Sequence, residues 1–232
     1  MSAEQADGGS IDRRWIILAG FALVAAVVVG AILIGQNSGG GSGSDEASAS
    51  GCTLVAKPKP KQVSYKAPKQ TVKRGEPLSA KMETNCGDFT IALDTKRAPK
   101  TVNSFVFLSE KGFYDGLDFH RIVPGFVIQG GDPLGNGAGG PGYSVDEKPP
   151  ANLSYTRGIV AMAKTSAEPP GRSGSQFYIV LAPDAGLPPE YALLGKVSEG
   201  MDVVDRIAKL GRPEEKPPKQ TVLIEHSIIE HR

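Results

Sequence analysis

The sequence is short of the residues that bond-making enzymes use. It holds two cysteines and three histidines in 232 residues. Cys52 and Cys86 lack C-x-x-C spacing, which excludes a thioredoxin-like redox motif. Two cysteines cannot build a Cys-rich zinc site, and His120, His226 and His231 do not fall at ligand spacings, so no metal and no cofactor are expected. There is no G-x-S-x-G elbow for serine hydrolysis and no G-K-[ST] phosphate loop. Gly135-x-Gly137-x-x-Gly140 matches the letters of the dinucleotide pattern. Pro141 and Gly142 follow it, however, so no helix can open there and the segment reads as a surface loop. The basic excess of a nucleic-acid binder is missing too, since the formal net charge is +1.

What is present is unevenly distributed. Residues 1–14 are polar and end in Arg13-Arg14. Residues 15–35, WIILAGFALVAAVVVGAILIG, carry no charge and no proline. About 20 apolar residues at about 1.5 Å each span roughly 30 Å, the thickness of a hydrocarbon core. A secretory signal has a shorter apolar stretch and a small-residue cleavage site directly after it, whereas Gln36 and a Gly/Ser run follow here. The expectation is a retained transmembrane helix, with a cleaved signal as the alternative. Arg13-Arg14 on the N-terminal flank place residues 1–14 in the cytoplasm and the rest of a single-pass cell-membrane protein outside. Trp15 stands where an interfacial aromatic would anchor the span.

Residues 36–77 read as an extracytoplasmic, disordered linker: Gly/Ser-rich to residue 51, then KPKPK, KAPK and VKRGEP. The lysines suit attraction to anionic lipid or wall polymer; the plainer expectation is a solvated stalk. Cys52 and Cys86 fall on the side where disulfides persist, so their pairing is the simple expectation, tying the stalk to the first hairpin. A lipidated Cys52 is the weaker alternative, because it lies far from the apolar run.

Residues 78–232 read as one folded domain, large enough to bury a core. METNCGDFTIALD predicts a hairpin turning at Asn85–Asp88. APKTVNSFVFLSEKGF predicts a helix over 98–113, with Pro99 in its first turn and Val102, Phe105, Val106 and Ser109 on one face. Residues 119–130, 157–164, 175–182, 191–197 and 221–230 read as strands, and 199–211 as a second helix closed by Lys209 and Gly211. Many short strands with two helices give a mainly β class, a barrel with helical caps.

One strand is chemically odd. FHRIVPGFVIQGGDP sets Arg121, Pro124 and Gln129 among Phe119, Ile122, Val123, Phe126, Val127 and Ile128. A guanidinium in an apolar strand costs stability unless it is paired or faces a wet cleft. Together with RGIVAMAK (157–164), GSQFYIVLA (174–182) and YALLGKV (191–197), this segment resembles the cyclophilin family of peptidyl-prolyl isomerases, in order and over about residues 78–232.

The resemblance implies an eight-stranded antiparallel β-barrel capped by two α-helices, with a groove on its outside. It implies X-Pro isomerisation, which makes no heavy-atom bond. Arg121 would be the catalytic donor, with Phe126 and Gln129 beside it. Val127, Tyr178, Leu187 and Tyr191 would complete the proline pocket, Ala163 and Lys164 would offer backbone groups to the residue before proline, and Gln176 would border the groove. Typical members carry Met at Val127, Asn at Lys164, Phe at Tyr178 and His at Tyr191. Lys164 would thus put a charge at the rim and favour acidic residues before proline. Gly186 stands where cyclosporin-sensitive members have Trp, so weak cyclosporin binding is expected. The implied function is isomerisation of proline-containing polypeptides during folding of exported or cell-surface proteins. The rival reading is a proline-peptide-binding module or chaperone with little turnover; a third is an anchored scaffold.

Overall fold

The structure is a computed structural model that describes residues 50–213 and 216–231. The expected membrane helix over 15–35 and its tail, 1–14, lie outside the described residues.

Eleven strands and two helices follow one another along the domain. β1 (Leu78–Thr84) and β2 (Phe89–Leu93) form the hairpin read from the sequence, turning through Asn85–Asp88. α1 (Pro99–Glu110) starts on Pro99, which gives up an N–H that no helix residue could have used. Its buried face carries Val102, Phe105, Val106, Leu108 and Ser109. β3 (Leu117–Asp118), β4 (Arg121–Val123) and β5 (Val127–Gly130) come next, then β6 (Val145–Asp146), β7 (Ile159–Met162), β8 (Arg172–Ser173) and β9 (Phe177–Val180). β10 (Leu193–Glu199) leads into α2 (Met201–Ala208), which buries Val203, Val204 and Ile207, and β11 (Leu223–His231) ends the domain. Gly200 makes the turn into α2 at φ 77°, and a Cβ there would run into the carbonyl of Asp88 and the backbone of Phe89, so the corner needs glycine.

The strand count corrects the eight-stranded expectation. One sheet holds nine strands in the order β3-β11-β1-β2-β10-β7-β9-β5-β4, all pairs antiparallel, and β6 and β8 form a separate pair. Its two edge strands, β3 and β4, are consecutive in the chain, separated only by Phe119 and His120. Three residue steps bridge at most about 10 Å, so the sheet curls far enough to bring the end of β3 close to the start of β4. The inside is filled by Phe89, Phe119, Ile122, Ile128, Phe177 and Ile179, with α1 contributing Phe105, stacked on Tyr114 at 4.8 Å.

The expected single strand over 119–130 is a hairpin. Pro124 has no N–H to give a ladder, and Gly125 takes φ 74°. Phe126 N–H donates to Val123 O at 3.0 Å, closing a turn with Pro second and a positive-φ glycine third, the pattern of type II.

The solvated-stalk expectation is also corrected for residues 53–77. They form a strap laid along the domain. Thr53 N–H donates to Asn85 O, Lys61 N–H to Pro133 O and Tyr65 N–H to Pro141 O, each at 2.7 Å. Buried Asn103 on α1 accepts from the N–H groups of Thr71 and Val72 and donates to Lys69 O. Tyr65 packs edge-on against Phe107 and Phe113, and Val72 is buried. Small apolar contacts repeat along the inner side, the lysines stay exposed, and Lys61 Nζ donates to Asp115 O at 2.6 Å, so a sequence that reads as charged and extended can still dock. At its start Cys52, fully buried, is disulfide-bonded to Cys86 in the β1–β2 turn, 34 residues on.

Replacing both cysteines by alanine is expected to lower the unfolding free energy by about 3 kcal/mol, read from urea denaturation. A loss below about 0.5 kcal/mol would show that the strap holds without its covalent end.

Candidate active site

The β4–β5 hairpin answers the puzzle of the buried-looking guanidinium. Arg121 pairs with Gln129 across the ladder, and Ile122 with Ile128. Paired residues point to the same face and successive residues to opposite faces. Ile122 and Ile128 therefore fill the core, both fully buried, while Arg121 and Gln129 stand on the outer face, half-buried. The same outer row continues from Gln129 to Tyr178 on β9, then to Ala161 on β7 and Leu193 on β10. One register thus places a cation, an amide and an apolar wall side by side.

Arg121 Nη1 donates to Gln129 Oε1 at 3.3 Å, and its guanidinium carbon lies 5.8 Å from the centre of the Phe126 ring. The aromatic face and the amide oxygen both favour a cation. Gln129 Nε2 donates to Gln176 Oε1 at 3.0 Å, and Gln176 Nε2 donates to the carbonyls of Gly137 and Gly139 at 2.9 Å each. The glycine-rich loop that matches nucleotide-binding letters serves here as an acceptor for Gln176.

Phe126, Val127, Tyr178, Leu187 and Tyr191 fall in one apolar cluster, separate from the barrel core. Val127 and Tyr178 are buried and form its floor, while Phe126, Leu187 and Tyr191 remain partly open. Tyr178 and Tyr191 meet edge to face at 5.7 Å. Sequence reasoning missed Tyr155, which packs on both rings and holds Tyr191 by its backbone. Its hydroxyl donates to Tyr191 O at 2.6 Å and accepts from Tyr191 N–H at 2.9 Å. Nothing local to residue 155 signals a partner 36 residues away.

Burial pushes the Tyr155 hydroxyl up to about 12 and that of Tyr178 well above its ordinary value; burial, then the Glu190 charge, raises Tyr191. All three stay neutral at pH 7. Burial lowers the pKa of His120, next to Arg121, so its imidazole is uncharged there as well.

Ala163 N–H donates to Gln176 O at 2.8 Å, just beyond the ends of β7 and β9, so that one backbone donor is already used. One expected groove residue is placed differently. Lys164 is not a rim charge, because its side chain is 4 % exposed. Its ammonium pairs with Glu190 at 3.3 Å, lies 5.4 Å from the centre of the Tyr191 ring and donates to the carbonyls of Thr165 and Glu168. The physical reason is desolvation: a cation drawn under a wall must be neutralised, and Glu190 does this. Among the described residues no group of three or more His, Cys, Asp or Glu could hold a metal ion.

Residues 79–228 match the cyclophilin type peptidyl-prolyl cis-trans isomerase/CLD family. The chain belongs to the cyclophilin family of peptidyl-prolyl isomerases. It is 41 % identical over 176 residues to peptidyl-prolyl cis-trans isomerase B of Streptomyces anulatus, covering 68 % of this chain and 99 % of that relative. A peptidyl-prolyl cis-trans isomerase of Arabidopsis thaliana is 39 % identical over 140 residues, covering 59 % of this chain and 84 % of its own length. A crystal structure of a cyclophilin type isomerase from Cryptosporidium parvum superposes with a TM-score of 0.62 at 33 % identity, over 67 % of this chain and 99 % of the other. The same protein in the presence of the dipeptide Ala-Pro gives 0.61, also at 33 % identity, over 66 % of this chain and 99 % of the other.

This cyclophilin domain supports two predictions. With the tyrosines protonated and His120 uncharged, kcat/KM on a capped peptide is expected to vary less than about twofold between pH 7 and 9; a clear inflection in a pH–rate profile would contradict this. Because Glu190 cancels Lys164, Glu-Pro and Lys-Pro peptides are expected to differ little. Glu190→Gln should then raise turnover of the Glu-Pro peptide about threefold, within the range of a partly exposed ion pair.

Proposed function

We propose that Arg121, Phe126 and Gln129 are the catalytic residues of this isomerase. In that reading the apolar cluster of Val127, Tyr178, Leu187 and Tyr191 receives the proline ring, and Gln176 borders it. Rotation about an X-Pro amide meets a barrier of roughly 18–20 kcal/mol because resonance must be broken, while cis and trans differ by about 0.5–1 kcal/mol. The task is therefore to bind the twisted amide better than either planar one. Twisting returns the lone pair to the prolyl nitrogen, and a fixed N–H donor near that nitrogen stabilises the twisted form selectively. The observation that carries the reading is a guanidinium braced by an amide oxygen and an aromatic face, Phe126, that belongs to a partly open apolar cluster. No nucleophile is required, in keeping with a pocket whose hydroxyls all stay protonated.

The clients in this reading are exported or cell-surface polypeptides. The chain would be held at the cell membrane by residues 15–35, with its N-terminus cytoplasmic and the domain outside. The charge-free 21-residue run behind Arg13-Arg14 supports this, and so does the disulfide, which suits an oxidising compartment. Cyclosporin would bind weakly: Gly186 is exposed, and nothing lies within 4 Å of where a side chain would begin. A nanomolar inhibition constant would overturn that.

Exchange NMR on an Ala-X-Pro peptide tests the assignment. Arg121→Ala is expected to lower kcat/KM about 100-fold, and Arg121→Lys to fall between, since an ammonium lacks the rigid fork. Catalysis surviving Arg121→Ala would contradict it. A wild-type protein that binds the peptide without speeding exchange would favour the binding-module reading.

A further inference from the structure

The strap, residues 53–77, lies outside residues 79–228, the part matched to the family, yet it touches the loop on which the active-site amides depend. The loop leaves β5 after Gly130 and bears Asp132, 1 % exposed. The Asp132 carboxylate gathers the loop's first turn, accepting from the N–H groups of Leu134, Asn136 and Gly137. The loop's outer ends are held by the strap. Lys61 N–H donates to Pro133 O and Tyr65 N–H donates to Pro141 O, both at 2.7 Å. Four extended residues span about 13 Å, so one short stretch of strap bridges both ends of the excursion. The fit is close: a Cβ at Gly142 would strike Ser64.

Between those two anchor points sit Gly137 and Gly139, whose carbonyls accept from Gln176 Nε2. A carbonyl can only accept, so these two oxygens decide which way the Gln176 amide faces. With its nitrogen turned to the loop, Gln176 presents oxygen to Gln129, which must answer with nitrogen, at 3.0 Å. Gln129 is then left with oxygen toward Arg121, at 3.3 Å. Reversing any one amide would set an N–H₂ group against the guanidinium or against another N–H₂ group.

We propose that strap residues Lys61 to Tyr65 are a positioning element of the isomerase: they staple the Pro133–Pro141 loop, whose carbonyls set the polarity of the Gln176–Gln129–Arg121 chain. This rests on Arg121 being the catalytic donor. The strap touches no substrate in this account and acts only through Gln176. Its effect belongs to the twisted amide rather than to ground-state binding, so it appears in kcat more than in KM.

The test uses the full chain. Lys61→Pro and Tyr65→Pro remove the two N–H donors from a segment that is already extended and proline-rich; Lys61→Ala and Tyr65→Ala remove the side chains and keep the donors. In protein that remains folded by thermal denaturation, the proline pair is expected to lower kcat about 3- to 10-fold with KM within about twofold, and each alanine variant to lose less. In a Gln176→Ala background the proline pair is expected to cost nothing further, since the relay is already cut. Should the pair unfold, each proline variant is measured singly, with the Gln129 and Gln176 side-chain amide resonances as a second readout; both are expected to shift. Full kcat in folded proline variants overturns the staple, as does an equal loss with and without Gln176. Arg121→Ala is measured alongside: wild-type kcat in that variant removes the reading beneath the staple, whereas failure of the strap variants alone leaves that reading standing.

Discussion

Everything at this site depends on the alternation of one short hairpin. With Ile122 and Ile128 committed to the core, Arg121 and Gln129 have nowhere to go but the outer face, opposite each other. A slip of one residue would bury the guanidinium and expose two isoleucines, so the hydrophobic core itself fixes the register of Arg121 and Gln129. The Pro124-Gly125 turn locks that register and carries Phe126 to where its ring meets the guanidinium. The packing of the core and the placing of the outer cation and amide are set here by the same four residues.

Around that hairpin several polar groups are tied into finite chains that end on backbone, while Tyr178 Oη and His120 Nδ1 are buried without a hydrogen-bond partner. Arg121 is braced by Gln129, Gln129 by Gln176, and Gln176 by loop carbonyls. Lys164 ends on Glu190 and on the carbonyls of Thr165 and Glu168, and Tyr155 on the backbone of Tyr191. Such networks are costly when partly satisfied and rigid when complete. Rigidity is what a catalyst of bond rotation needs, because its only means is to hold donors where the twisted amide wants them.

The sequence made some of this legible and hid the rest for physical reasons. The β1–β2 hairpin and the buried face of α1 follow from local periodicity, and the structure has both. Arg121 and Gln129 stand out because a charge and an amide are conspicuous in an apolar run, Phe126 follows only from the family resemblance, and the structure brings the three together. The turn inside residues 119–130 was masked by the apolar residues on both sides of Pro124-Gly125. The docked strap was hidden because Val63, Tyr65 and Val72 are isolated among lysines and prolines, and their partner surfaces come from Phe107, Phe113 and Asn103, far along the chain. Lys164 looked like a surface charge because Glu190, which neutralises it, is 26 residues away. Single residues with distant partners carry no local pattern to read.

The central claim is that Arg121 recognises the twisted amide and not the planar one. The most direct measurement is peptide affinity in Arg121→Ala, taken from NMR shift titration beside the exchange rate of the bound peptide. The account predicts a Kd within about threefold of wild type while bound-state exchange collapses. A Kd that weakens in proportion to the lost rate would show that Arg121 only binds substrate, and would contradict it.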